Sequence, residues 1–331
     1  MTEAAGTPSW VLGVDSGGSG LRVGLGRLAA DGGLEQHGGL DCAEPVRTGS
    51  HGIDAGHLTE QLVPAARALL ARAGADAPVA AVCVGAAGMA TLGVQLRAEL
   101  PRALAEALGV RRLALAADAV TGYAGALGER PGAVVAGGTG LIAVGTDLRE
   151  WRRVDGWGHL LGDCGGGSWI GQAGLEAAMR AHDGRVGGST ALLARAVEVF
   201  GPPESLPGRL YPRTDRPAML ASFAPEVAGC ADARPPDEVA VAILQAAAGE
   251  IAATAVAACL ADDGEVALTG GLFRMGEPLL GPLRAELARR LPRAAMVPAA
   301  GSPLDGAVRI AAGLAAGSLR LPAHPALLHL C

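Results

Sequence analysis

Gly17-Gly18-Ser19-Gly20-Leu21 and Gly137-Gly138-Thr139-Gly140-Leu141 are one phrase written twice, with every position offset by 120 residues. Each copy follows an apolar run and enters another, residues 21–25 in the first case and 141–144 in the second. β-Branched, apolar runs of that length predict strands, so each phrase is the turn of a strand–turn–strand unit. Five matched positions could arise by chance in a chain with 51 glycines, but the matched context favours an internal duplication. A duplicated domain would set two hydroxyl-bearing glycine turns facing each other across a cleft.

Outward from the first turn, residues 10–15 and 21–28 read as strands, with a weaker third strand near 34–40. A helix over 58–73, a strand over 79–85, a helix over 92–108 and a strand over 113–117 follow. Three strands, helix, strand, helix, strand indicates an α/β domain with a mixed sheet. Beyond Trp151 the pattern is mostly helical, over 168–181, 190–200, 217–231 and 237–260. A strand over 265–269 runs into Gly270-Gly271. A helix over 277–291, a short strand near Met296 and a last helix over 304–316 close the chain. The proline-rich pieces 202–212 and 235–236 read as surface connections. At roughly 150 residues per domain, 331 residues make about two domains.

Half of the chain is hydrophobic and 18% is charged, which excludes the composition of a disordered protein. Aromatics are only 3%, so the cores are built from Ala, Val, Leu and Ile. With a net charge of −6 and no basic stripe, a nucleic-acid partner is not expected. All 27 basic residues are Arg, and the chain has neither Lys nor Asn. That excludes a P-loop lysine, a Schiff base and a pyridoxal phosphate anchor. The six cysteines form no CxxC pair, so a zinc ribbon, a thioredoxin-like motif and an iron–sulfur run find no support. The first 15 residues lack a basic region and a long apolar run, and no signal peptide is expected. The longest apolar stretch, 239–261, contains Gln245 and Glu250 and reads as a buried helix, not a membrane span. A cytoplasmic protein with reduced thiols is the expectation.

Glycine turns let successive backbone N–H groups point into one concavity and let a phosphate approach without a Cβ in the way. Ser19 and Thr139 add hydroxyl donors. The dinucleotide fingerprint fails, because Val23 stands at the third glycine position and the turn enters a strand. Tight hairpins needing glycine only for positive φ are the plain alternative. Two turns in register, with a third at Gly270-Gly271, favour nucleotide phosphates. Asp15 ends the first strand beside its turn. Either it starts an Asx turn, or it sits beside phosphate with Mg2+ between them. Asp118 ends a buried strand, where it is either the N-cap of a helix over 119–127 or a general base. Residues 155–171 pack seven glycines, two Trp, two Asp and a His into one stretch. That material suits a loop that hydrogen-bonds sugar hydroxyls and lays an indole on a sugar face, although Trp157 and Trp169 could also be loop anchors. His159 reads as structural.

With these motifs in place, the chain resembles the N-acetylglucosamine kinase/BadF-type ATPase family of the actin-like sugar kinase superfamily. The marks are Gly13-Val14-Asp15-Ser16-Gly17-Gly18-Ser19, Ala117-Asp118-Ala119, Ala136-Gly137-Gly138-Thr139-Gly140, Gly156-Trp157-Gly158-His159-Leu160-Leu161-Gly162-Asp163 and Thr269-Gly270-Gly271-Leu272-Phe273. The resemblance implies an α/β fold of two actin-like (ribonuclease H-like) domains with an ATP and substrate cleft between them. Domain I would span 1–117 plus the C-terminal 302–331, and domain II 118–301. By the same analogy Asp15 belongs to the Mg2+ neighbourhood. Ser16, Gly17, Gly18 and Ser19, with Gly138, Thr139 and Gly140, take the phosphates of ATP. Gly270 and Gly271 lie on the adenosine side. Asp118 is the base that takes the proton from the sugar hydroxyl, and Gly156, Trp157 and Asp163 contact the sugar. The implied activity is phosphoryl transfer to an amino sugar, N-acetylglucosamine or glucosamine, at the 6-hydroxyl. Homodimers are common among relatives, although no surface stretch here marks one. Two other readings share the fold: a BadF-type ATPase activator holding an iron–sulfur cluster with paired cysteines, and a non-catalytic sugar or nucleotide sensor. The chain departs from the family pattern in three places. Gly20 replaces a basic or polar residue, for which Arg22 or an Arg from elsewhere could compensate. Cys164 replaces Glu. The loop 41–51 lacks the family's Asn, and its Glu44 would favour a free amine on the sugar.

Overall fold

The computed structural model describes residues 9–17, 20–49, 52–75, 78–89 and 93–331. The chain divides into two compact units, Met1–Pro131 with Thr146–Trp151 and Pro298–Cys331, and Gly132–Gly145 with Arg152–Val297.

In the first unit β1 (Ser9–Gly17), β2 (Gly20–Leu28) and β3 (Leu34–Cys42) form an antiparallel meander. The chain then crosses by α1 (Ala55–Arg72) to β4 (Val79–Ala86), which pairs parallel to β1. It crosses again by α2 (Val94–Leu108) to β5 (Leu113–Ala117), parallel to β4. Val11, Leu12 and Val14 on β1 and every residue of β5 are buried, as strands covered on both faces require. The C-terminal strand Leu328–Leu330 adds antiparallel to β5 and gives a six-stranded sheet. Helix α3 (Asp118–Leu127) leaves β5 directly.

The second unit repeats the plan. Its five-stranded sheet runs β8-β7-β6-β9-β10, from β6 (Gly132–Gly137), β7 (Leu141–Thr146), β8 (Trp151–Asp155), β9 (Glu265–Thr269) and β10 (Ala295–Val297). That order matches β3-β2-β1-β4-β5 element for element, with β9 parallel to β6 and β10 parallel to β9. The two glycine phrases therefore occupy the same place in two copies of one topology, which chance does not explain. The helices here are α4 (Gly167–His182), α5 (Thr190–Phe200), α6 (Leu206–Leu210), α7 (Arg216–Ala221), α8 (Ala224–Ala231), α9 (Glu238–Ala258) and α10 (Glu277–Arg290). Helix α9 is long and apolar enough to cross a membrane, but Ala240, Leu244, Ala247, Ile251 and Ala255 pack into this unit's core.

Two expectations change. The compact units divide at 131/132, which keeps α3 in the first unit. The reason is close packing: a Cβ on Gly306 of the C-terminal helix (Pro303–Ala316) would lie 1.9 Å from the Thr121 carbonyl oxygen of α3. The return into the first unit begins at Pro298, where Ala300 N donates to Ala126 O at 3.0 Å. The single helix expected over 217–231 is broken at Ser222–Phe223, because Pro225 cannot donate the N–H that would continue the ladder. Residues 203–210, read as plain connection, form a 3-10 turn and α6 with Leu206 buried. Short β8 and the C-terminal strand carried too little pattern to be found.

Candidate functional site

Asp15 sits near the carboxyl end of β1, opposite Arg22 on β2, and its side chain is only 14% exposed. Arg22 Nη1 lies 3.4 Å from Asp15 Oδ2. Burial pushes the Asp15 carboxyl pKa up, the Arg22 guanidinium works against that, and the charge of Asp118 adds to it. The two carboxylates therefore feel each other. The sheet explains how: β4 lies between β1 and β5, with Gly85 paired to Asp15 on one side and Ala116 on the other. Gly85 has no side chain to hold α3 away; a Cβ there would lie 2.6 Å from Thr121 Cγ2. Thr121 in turn donates to the Asp118 carbonyl at 2.9 Å, which seats the first turn of α3.

Asp118 is exposed and is the first residue of α3, with Oδ1 accepting from Ala119 N at 2.9 Å. The cap position belongs to Ala117, which offers no side chain, so the capping explanation for Asp118 falls away. Ser16 is buried and its carbonyl accepts from Ala87 N, while Gly17 closes β1 opposite Gly20. Gly18 and Ser19 lie outside the described residues. Gly20 has φ +125°, and a Cβ there would stand 2.3 Å from the Cys42 carbonyl oxygen, so the backbone itself dictates glycine. The Glu44 carboxylate lies 3.3 Å from Nε2 of buried His57, whose Nδ1 accepts from Arg47 N, while the Glu44 side chain stays largely exposed.

Among the described residues no group of three or more His, Cys, Asp and Glu is placed to hold a metal ion. One or two carboxylates suit a Mg2+ that keeps waters and brings phosphate ligands with it. Asp15 beside Asp118 fits such a cation and no permanent protein cage.

The second unit gathers the other glycine turns. Gly138 N donates to Gly140 O at 2.9 Å, and the start of α4 closes on that turn through Gly167 N to Gly138 O and Ser168 N to Thr139 O. Gly270, at φ +98°, comes so close that a Cβ would lie 2.2 Å from the Gly137 carbonyl oxygen. Gly138, Thr139, Gly270 and Gly271 are all exposed on this face. A Cβ on Gly140 would lie 2.2 Å from Asp163 Oδ2, so the bare turn is what lets that carboxylate approach. We expect Gly140→Ala to displace Asp163 and to lower the melting temperature, which reports the accompanying strain.

Asp163 is half-buried, and burial holds its carboxyl above the usual range against the opposing N–H of Gly158, 3.2 Å away. Trp157 is 67% exposed, with the Arg153 guanidinium 5.1 Å from its ring centre. Arg153 Nη2 donates to Gly156 O at 2.6 Å, which fixes the loop beneath the indole. Asp155, one of the two Asp of the 155–171 stretch, organises this loop: Oδ1 accepts from Asp163 N at 2.6 Å and Oδ2 from Cys164 N at 3.0 Å. The signal that could have found it is an Asp directly before glycine at the end of a strand. Removing it in Asp155→Ala leaves two loop amides without an acceptor. The expected cost is about 1–3 kcal/mol by thermal or urea melting. His159 lies in the same loop, within electrostatic reach of Asp163.

A family model described as the BadF/BadG/BcrA/BcrD ATPase family matches residues 12–308. The chain is 34% identical over 108 residues to an N-acetylmuramic acid/N-acetylglucosamine kinase of Clostridium acetobutylicum, 32% of this chain and 34% of that protein. The match thus spans about a third of that relative's length. The structure of a candidate N-acetylglucosamine kinase from Chromobacterium violaceum superposes with a TM-score of 0.64 at 28% identity, covering 91% of this chain and 98% of the other. A ROK hexokinase from Thermus thermophilus, at 17% identity and a TM-score of 0.51, covers 90% and 97% and shares the fold.

Proposed function

The chain belongs to the BadF/BadG/BcrA/BcrD ATPase family, and from that premise we propose that it is a cytoplasmic ATP-dependent kinase of an amino sugar. N-acetylglucosamine or glucosamine is the acceptor, phosphorylated at the 6-hydroxyl. The observation that carries this reading is the exposed Asp118 at the end of β5, within electrostatic reach of Asp15 in the same sheet. Phosphoryl transfer needs positioning, charge neutralisation and one carboxylate to orient the attacking hydroxyl. Asp118 supplies that carboxylate: it accepts the hydroxyl proton as the oxygen attacks. ATP with Mg2+, when bound, supplies the phosphoryl group and offsets its charge; Asp15 holds the cation's shell. Ser16, Gly17, Gly18, Ser19, Gly138, Thr139 and Gly140 line the phosphates, and Gly270 and Gly271 the adenosine.

Trp157 offers an exposed indole to the sugar's apolar face, Gly156 permits close approach, and Asp163 accepts from a sugar hydroxyl. The names of the Clostridium and Chromobacterium relatives favour an N-acetylated amino sugar. Trp157→Ala is expected to raise the sugar KM about tenfold, the equivalent of about 1.4 kcal/mol, with the melting temperature unchanged. ADP release with Mg-ATP, measured against glucosamine, N-acetylglucosamine, N-acetylmuramic acid, N-acetylmannosamine and glucose, tests the proposal. Sugar-dependent release with a phosphosugar product of the right mass supports it. Sugar-independent hydrolysis moves the assignment to an ATPase, and binding without turnover moves it to a sensor.

A further inference from the structure

The second unit contains a cavity of about 490 Å³ that none of the glycine turns lines. Such a volume is within the range of small-molecule sites. One wall is a single face of α4, where Gln172, Leu175, Glu176, Met179 and Arg180 recur at three- and four-residue spacing. Helices α6 and α7 supply Leu206, Leu210, Arg216 and Leu220. His159 and Leu160 complete the lining from the same loop that carries Trp157. Leu175, Leu206 and Leu220 are buried and form an apolar base, while Leu160 and Tyr211 stand 82% and 70% exposed. The charges are uneven. Arg185 pairs with Asp183 at 3.1 Å, and Glu176 accepts from Gln172 at 3.0 Å. Arg180 and Arg216 have no hydrogen-bond or ion-pair partner among the described residues.

We propose that this cavity binds a carboxylate carried on an apolar stem, with Arg180 and Arg216 holding the carboxylate and the leucines covering the stem. Two planar guanidinium donors suit an anion rather than a neutral sugar, and the leucine side chains beside them favour an anion carried on an apolar stem over a bare inorganic phosphate. The shared chemistry has two sources: a free organic acid, or an acidic substituent on the sugar. The second source rests on the proposed sugar loop, because residues 156–163 serve both places.

Titration calorimetry of the full chain separates the outcomes, with 4-phenylbutyrate as the free acid and 4-phenylbutyramide as its neutral counterpart. N-acetylmuramic acid is titrated against N-acetylglucosamine. Saturable one-to-one binding of the free acid, at least tenfold weaker for the amide and for Arg180→Ala and Arg216→Ala, supports a free acid. An arginine-dependent preference of at least tenfold for N-acetylmuramic acid over N-acetylglucosamine, with no binding of the free acid, supports a sugar-borne one. Met179→Trp fills the cavity from a half-buried position and is expected to abolish binding in either case. Acid and amide binding alike, arginine variants that bind as the parent does, or no saturable binding of any acid overturns the proposal. None of these readouts depends on phosphoryl transfer, so the failure of the kinase assignment leaves the free-acid arm standing.

Discussion

Asp118→Ala is expected to lower sugar-dependent ADP formation by about 10³-fold while leaving the KM for ATP within about twofold, since a positioned base contributes roughly 10²–10⁴. The variant should fold. Asp118 is exposed, and its loss at the start of α3 removes a favourable helix-end charge of about 0.3–1 kcal/mol. Asp118→Asn sharpens the test, because an amide oxygen can still accept from Ala119 N, where the carboxylate now accepts at 2.9 Å. Geometry would be kept and only the proton acceptor lost. If Asp118→Asn retains more than a tenth of parental turnover, proton transfer to this residue is not part of the reaction. A loss of activity in Asp118→Ala alone would then mean that α3 had shifted. The distinction matters because Thr121 and Gly85 position this turn, Thr121 through its hydrogen bond to the Asp118 carbonyl and Gly85 by leaving room for Thr121.

The α/β architecture was legible because its signals are local. The apolar runs and the two glycine phrases sit where a period-2 pattern and a turn require them, and β5 and β9 matched the reading residue for residue. The repeat of strand order lay beyond the sequence, since pairing order depends on contacts far apart in the chain. Only the phrase offset hinted at it. The extent of the first unit was hard to read for a related reason. Nothing local to α3 says that Gly306, far along the chain, lies against Thr121. In the candidate site the residue types were readable but their division of labour was not. Asp155 and Asp163 look alike in sequence, yet one staples two loop amides and the other lies against Gly140. Gly20 read only as a departure from the family pattern, and the Cys42 carbonyl, which leaves room for nothing larger, is the reason that glycine stands there.

Asp15→Asn should separate stability from function. The carboxylate is nearly buried beside the charge of Asp118, and its pKa in the folded chain is raised by burial first, with Arg22 opposing. A raised folded value means that the folded state holds this proton more readily than the unfolded chain does. The associated stability is therefore present below the ordinary carboxylate pKa and is lost as pH rises through the folded value. At neutral pH the ionised Asp15 costs stability in the absence of a cation. Asparagine removes that cost, and Arg22 is exposed enough to find water when its partner is neutral. The variant is expected to be about 1 kcal/mol more stable than the parent at pH 7, the usual scale of a stability–activity exchange. The advantage should shrink as pH falls toward 4, where the parent's carboxyl takes up its proton. Melting curves of both proteins between pH 4 and 8, without nucleotide, measure this directly. Turnover with Mg-ATP should fall by at least 10²-fold in the variant, since charge neutralisation at the phosphates is a dominant part of phosphoryl transfer. Mg-ADP should raise the parent's melting temperature and leave the variant's nearly unmoved. A variant less stable than the parent by the same amount at pH 4 and pH 7 would mean that Asp15 serves the hairpin through its hydrogen bonds and not as a charge held ready for a cation.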